Sequence, residues 1–409
     1  MSLPVRLVVI ILCVCRTARA APETWELSLQ AGGGRLGAAP AAVVYPRLGA
    51  SGGDWLLHLG TPLWWRLEPN DAAATRGGPL LRWDSADTYG AFVERLFWRS
   101  PEGQQEVWLE TLSGVRLGEG ELVDGYQGGL DLQHLRPGVR VHAIHERLDF
   151  TAMVSGFDRP ELVAVAFEGE PVVAASGAPQ VRVGLQMAAD VFATTADARP
   201  SPLLGGAVDL SVSLWRGTWL GVDVTGAATA LRHLRLGQGL HGGLRMEVAP
   251  GFLTRVVMAM ELCHARGGFQ PGYFDAAYVL ERQATLRAGI PKRSVAFPQG
   301  NYLRWRADAA VGPLTMGVRS TLLPDGSQQL SVAAALETPM AHMSLVWLAR
   351  GLLSPAHLLD RRGFVLAEAS WRLLGGAYVF ALARHGPTLA APTIATATWV
   401  VGVGHAFGG

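Results

Sequence analysis

The sequence predicts an all-β chain whose strands close into an antiparallel, up-and-down barrel that crosses a membrane. Three observations point there. Apolar residues alternate with polar or small ones in runs about ten residues long, the length a tilted strand needs to cross hydrocarbon. Past residue 20, no segment holds the roughly 18 consecutive apolar residues of a spanning helix. Charged residues make up 17% of the 409 positions and hydrophobic ones 49%, whereas a soluble domain usually carries about 25% charge.

The chain opens with Arg6, an apolar run from Leu7 to Cys15, and Ala18-Arg19-Ala20. That is the charged, apolar and small-residue order of an export signal, with cleavage expected after Ala20. Residues 1–20 are read as a signal peptide and 21–409 as one barrel domain. Cleavage would remove Cys13 and Cys15 and leave Cys263, so the mature chain has no intrachain disulfide to form. A lone thiol in an apolar strand is read as a small packing residue, not a nucleophile. The net charge of +1 gives no electrostatic reason for nucleic acid. Lys292 is the only lysine among 35 basic residues, a bias read as that of a GC-rich genome.

The alternation is clearest from residue 207 onward. Val208, Leu210, Val212 and Leu214 alternate with Asp209, Ser211 and Ser213. Leu220, Val222 and Val224 oppose Gly221, Asp223 and Thr225, and Leu244, Met246 and Val248 oppose Gly243, Arg245 and Glu247. Val256, Met258, Met260 and Leu262 share a face opposite Arg255 and Glu261. Leu303 and Trp305 oppose Arg304, Arg306 and Asp308, while Met316 and Val318 oppose Arg319. Ala367, Ala369 and Trp371 oppose Glu368 and Arg372. Period two puts one set on each face of a strand, which suits a β-sandwich as well as a barrel. Three features favour the barrel. The runs continue without a helical interruption. Many of the 50 glycines fall on the polar face, where a crowded lumen needs small residues. Tryptophans sit near run ends, as at Trp64-Trp65, Trp98, Trp215, Trp219 and Trp399, where interfacial girdles lie.

At the C-terminus Trp399, Val401, Val403 and Phe407 fall on one face, with Val400, Gly402, Gly404 and Ala406 on the other. This resembles the closing strand of bacterial outer-membrane barrels, which ends at or near a phenylalanine; here Gly408-Gly409 follow it. The resemblance implies an outer-membrane location, contact with outer-membrane lipid and recognition by the barrel-assembly machinery. It also implies an even strand number, since both termini face the periplasm. Eighteen runs are visible, so about 18 strands are expected, with 16 and 20 also compatible. Runs near Leu122 and Phe150 leave that number open, while residues 32–53, a Gly/Ala/Pro-rich stretch, are read as a loop or lumen plug and 69–89 as a long loop. Residues 265–300 are read as a long excursion, or as two crossings of which one is visible.

Motif matches fail on context. Gly49-Ala50-Ser51-Gly52-Gly53 fits G-x-S-x-G but has no helix after it. The G-x-G-x-x-G match at 237–242 runs into an alternating segment and is read as a loop entering a strand. Neither catalytic residues, nor a metal site, nor a cofactor is expected. Residues 112–123, rich in glycine with Arg116, Glu119 and Glu121, read as a turn with solvated charges in preference to a constriction loop. The lumen-lining candidates are Arg245, Glu247, Arg255, Glu261, Arg304, Arg306, Asp308, Arg319, Glu368 and Arg372. In size and strand number the chain is similar to the barrel subunits of polysaccharide export and to diffusion porins. A non-enzymatic pore for polysaccharide or other polar solutes is therefore expected, with periplasmic export or envelope-complex proteins as further candidate partners. A non-conducting barrel that scaffolds an envelope complex is the alternative.

Overall fold

A computed structural model describes residues 24–36, 39–67, 92–130, 137–156, 160–172, 180–193, 202–232, 236–251, 254–282, 285–286, 291–351, 363–373, 376–386 and 396–408. The expected signal peptide and residues 69–89 lie outside them. The strands run β1 (Thr24–Leu36), β2 (Ala39–Gly52), β3 (Trp55–Gly60), β4 (Leu63–Arg66), β5 (Val93–Arg99), β6 (Gln105–Thr111), β7 (Val115–Arg116), β8 (Val123–Tyr126), β9 (Pro137–His145) and β10 (Leu148–Val154). They continue with β11 (Val163–Val172), β12 (Val181–Asp190), β13 (Leu203–Arg216), β14 (Leu220–Arg232), β15 (Leu236–Gly251), β16 (Thr254–Arg266) and β17 (Phe274–Asp275). A one-turn helix, α1 (Tyr278–Glu281), precedes β18 (Gly300–Val311), β19 (Leu314–Leu322), β20 (Gln328–Glu337), β21 (Ala341–Gly351), β22 (Gly363–Arg372), β23 (Ala377–Gly386) and β24 (Thr396–Gly408).

Each wall strand pairs antiparallel with the next, and β24 pairs back onto β1, from Glu26 opposite Gly408 to Leu36 opposite Thr398. The sheet is therefore closed and leaves no edge. β3 and β4 are one strand in two pieces, because both pair with β2. Counted so, the described residues form a barrel of twenty strands. The two strands beyond the eighteen counted runs are β10, the open run near Phe150, and β2. β2 occupies most of residues 32–53, so that stretch is wall and not plug. Its prolines hid it, and Pro46 shows why a proline fits. β3 stops at Gly60 opposite Arg47, and β4 starts at Leu63 opposite Val44. Pro46 thus lies opposite the break, where no ladder partner needs its missing N–H.

The barrel is inverted relative to a soluble fold. Val208, Leu210 and Leu214 of β13 are exposed, while Asp209, Ser211 and Ser213 are buried. The same holds on β15 and β16, where Leu240, Leu244, Met258, Met260 and Leu262 are exposed and His241 and Cys263 are buried. This continuous apolar exterior suits hydrocarbon and would aggregate in water. Trp25, Trp215, Trp219 and Trp371 are half or more exposed. All four lie at the rim that carries both chain ends and the short turns, such as Glu146-Arg147 and Gly312-Pro313. They form one belt at the expected lipid–water boundary. Trp64 departs from the expected girdle: it points inward and is 6% exposed.

Candidate functional site

Two segments leave the opposite rim and fold back into the lumen. The first insert follows β6 and contains β7 and β8. The second lies between β16 and β18 and contains β17 and α1. They join each other through a short parallel pairing of Phe274 with Val123 and Asp275 with Asp124. The Gly272 and Phe274 amides donate to the Glu121 and Leu122 carbonyls at 2.8 and 2.9 Å. The second insert is the long excursion expected at 265–300, and it adds no wall strand. The first corrects the expectation of a solvated turn: Leu117, Leu122, Val123 and Tyr126 are at most 2% exposed, and so is Glu121. A sign of this was present in the sequence. A solvated turn has no use for Leu112, Leu117, Leu122, Val123 and Tyr126 at a spacing that fits neither helix nor strand. Gly114, Gly118, Gly120 and Gly125 all take positive φ, which lets this compact segment reverse repeatedly within the lumen.

The inserts are fixed to the wall by charge and by close packing. Asp124 accepts from Arg304 at 2.8 Å, Arg319 at 3.0 Å and Arg116 at 3.2 Å. Arg116 also reaches Asp308 at 2.7 Å. Arg306 donates to Glu119, and Arg304 to the Gly120 carbonyl at 2.9 Å. Burial opposes charge on Asp124, but the surrounding guanidiniums hold its carboxyl well below the usual range. Glu119 is lowered in the same way by Arg306 and Arg245, against burial. Glu121 goes the other way. Burial, with Asp209 and Glu261 nearby, pushes it up to about 8. The Gln186 amide donates to both Glu121 at 2.6 Å and Asp209 at 2.9 Å.

The second insert has its own anchors. Arg350 pairs with Asp275 at 2.7 Å and Glu281 at 3.1 Å, and Lys292 pairs with the same two acids at 3.1 and 3.3 Å. Asp190 of β12 accepts from Arg282 at 2.6 Å and from the Tyr278 hydroxyl at 2.7 Å. Phe269 lies over Gly239, where a Cβ would meet its ring at 2.6 Å. The segment 237–242 is thus strand from its start, not a loop leading into one. Its glycines form a groove for the insert.

The ten expected lumen residues separate into three groups. Arg245, Glu261, Arg304, Arg306, Asp308 and Arg319 meet the first insert or each other: Arg245 lies 3.4 Å from Glu119, and Glu261 lies 3.1 Å from Arg304. Glu247 and Arg255 pair at 2.8 Å near the short-turn rim, where Arg255 stays 59% exposed. Arg372 is at that rim too, 3.9 Å from Glu26. Glu368 lines an open cavity. Sequence reasoning did not name Arg116, Glu119, Glu121 and Asp124 as lumen residues, because their partners lie far away along the chain.

One more group has the outline of a catalytic triad. Cys263 Sγ is 3.6 Å from His241 Nε2, and His241 Nδ1 is 2.6 Å from Glu261. Cys263 is fully buried, the Thr229 hydroxyl lies 3.1 Å from the same His241 nitrogen, and Phe269 packs against the imidazole. Among the described residues the sulfur is enclosed by its neighbours, where it packs in the barrel wall.

The inserts leave room beside them. A cavity of about 800 Å³ runs along β1, β2, β4, β16 and the strands β18–β24, with the first insert against it. Its lining includes Gln30, Tyr45, Trp64, Gln127, Tyr378 and Phe380.

No family model and no curated protein matches this sequence. Solved structures with some likeness include the FrpB iron transporter of Neisseria meningitidis, at 8% identity and TM-score 0.40 over 96% of this chain and 84% of that one. The ferric enterobactin receptor PfeA of Pseudomonas aeruginosa gives 7% and 0.34 over 95% and 81%. OpdK of the same organism, solved with vanillate, gives 11% and 0.34 over 94% and 98%. Closed antiparallel pairing, an even strand number, an apolar exterior and a charged interior together give this chain the architecture of a bacterial outer-membrane β-barrel.

Proposed function

We propose that the chain is an outer-membrane pore for polar solutes, with polysaccharide as its cargo. The observation that supports this is the cavity beside the first insert: about 800 Å³ of space in which aliphatic and aromatic side chains are interspersed with polar and charged ones, inside an apolar shell. The test is conductance of the purified, folded chain in planar bilayers. Steady single-channel steps, reduced by added oligosaccharide, are expected. A barrel that stays sealed under all voltages sinks the reading. The ten charged residues then act as insert anchors and as the walls of the path. Lipid around the apolar exterior, assembly machinery reading the Phe407 strand and a periplasmic export partner belong to the same proposal.

One observation favours a second reading, a scaffold. The ion pairs around Asp124 and Glu281 fix the inserts more firmly than a path alone needs. A scaffold would show no conductance and would co-purify with envelope proteins through its rim.

A further inference from the structure

The inner wall of the cavity carries a surface that neither the barrel fold nor passive flow requires. Two adjacent cross-strand rows face inward there. One runs Phe380, Gly402, Gly32, Val43 and Trp64 across β23, β24, β1, β2 and β4. The next runs Tyr378, Gly404, Gln30 and Tyr45. The glycines are what let the rings lie down. A Cβ on Gly32 would meet the Phe380 ring at 3.1 Å, one on Gly404 would meet the Tyr378 ring at 2.6 Å, and Gly402 lies under Phe380 as well. Both rings are therefore laid along the wall with a face turned to the cavity. At about 4.8 Å per strand the first row spans roughly 19 Å. Because barrel strands tilt by about 35–45°, it climbs obliquely round the lumen.

Flat ring faces flanked by amides suit a ligand whose own faces are apolar C–H surfaces and whose edges are hydroxyls. Gln30 and Gln127 border the surface, and Ser370, directly opposite Phe380 on β22, continues it toward Glu368 and Ser344, which also line the cavity. The Tyr378 hydroxyl is buried and finds no hydrogen-bond partner among the described residues. A buried polar group in that state is normally satisfied by water or ligand.

Charge narrows the class. Three arginines line the cavity, and each is already paired: Arg47 with Glu94 at 2.7 Å, Arg255 with Glu247 at 2.8 Å, and Arg319 with Asp124 and Asp308 at 3.0 and 3.2 Å. Asp308 is paired in turn with Arg116. Glu368 is the one lining carboxylate outside these pairs, so the path offers no surplus of positive charge to attract an anion. A volume of about 800 Å³ falls within the ~300–1,000 Å³ of ordinary ligand pockets.

We propose that the Phe380–Tyr378 wall is a binding track for an uncharged, linear saccharide. This rests on the pore reading but names the ligand class and the residues that hold it.

The test uses the full, folded chain with maltohexaose as the neutral probe and hexagalacturonate as the anionic one. Maltohexaose should block current, and Phe380→Ala or Tyr378→Ala should weaken that block by about tenfold. Val379→Ala, whose side chain faces outward, should leave it unchanged. The reversal potential in a salt gradient should stay near zero. Block by hexagalacturonate equal to or stronger than that by maltohexaose overturns the proposal, as does block insensitive to both ring deletions. Absence of any conductance would sink the pore reading alone. The track would then be judged by quenching of tryptophan fluorescence on maltohexaose titration in detergent. A quench lost in Phe380→Ala supports it, and no quench overturns it.

Discussion

Arg304 of β18 donates to Asp124 of the first insert at 2.8 Å, across 180 residues of chain. The same carboxylate serves Arg319 and Arg116, so one acid joins three guanidiniums that are otherwise shared between Asp308 and Glu261. Removing that charge would leave three buried cations to share Asp308 and Glu261 and would cut their tie to the insert. Asp124→Asn should cost roughly 3–5 kcal/mol of insert docking. Hydrogen exchange in residues 112–130 should rise sharply, and conductance should increase. Unchanged protection would show that packing, not charge, holds the insert.

Glu121 makes docking pH-dependent. Free in water its carboxyl titrates near 4.5, and docked it is pushed up to about 8 by burial, with Asp209 and Glu261 adding to the shift. Between those values the docked form keeps a proton that the undocked form has released. Docking therefore weakens as pH rises through that window, by up to about tenfold per unit, and levels off above it. Exchange of the 112–130 amides, corrected for intrinsic rate, should follow that slope. Glu121→Gln should flatten it, and a slope that survives the substitution would place the titrating group elsewhere.

The second insert depends on shape. Phe269 is fully buried against the Gly237–Gly239 groove of β15. Phe269→Ala should cost about 3–5 kcal/mol of its docking. Gly239→Ala should do comparable damage from the other side, since its Cβ would meet the ring and the Thr229 hydroxyl at 2.6 Å each. Limited proteolysis within 267–299 reads both variants, and resistance equal to the parent chain would contradict the packing.

The inverted exterior makes neighbouring positions behave oppositely. Leu210 is 45% exposed on the outer face, and Ser211 beside it is buried. Leu210→Arg should destabilise the folded barrel in lipid by about 2–4 kcal/mol. Ser211→Ala should shift it by less than about 1 kcal/mol. Folding titrations in urea with lipid vesicles measure the difference. Similar small effects at both sites would remove the case for hydrocarbon contact.

The wall was largely legible in the sequence because a strand's two faces differ in what they touch. Lipid outside and a charged lumen inside write period two directly into residues such as Leu210 and Ser211. β2 was not legible, because its alternation is carried by Ala, Gly and Val around two prolines, and only the break between β3 and β4 makes Pro46 acceptable. β10 is visible as a run near Phe150 but falls outside the count. Its seven residues follow β9 after a two-residue turn, and its apolar content blurs into that of its neighbour. At the candidate site, Arg304, Arg306 and Asp308 stood out by facing inward on an obvious strand. Their counterparts on the first insert follow neither periodicity, and nothing local in Gly118-Glu119-Gly120-Glu121 says that β18 completes them.

Lys292 bears the only side-chain primary amine of the chain, and it is 1% exposed, enclosed between Asp275 and Glu281. An acylating reagent therefore has a single lysine to modify and meets it only when the second insert swings out. The rate of that modification is a clock for the motion, built into the natural sequence and needing no added label.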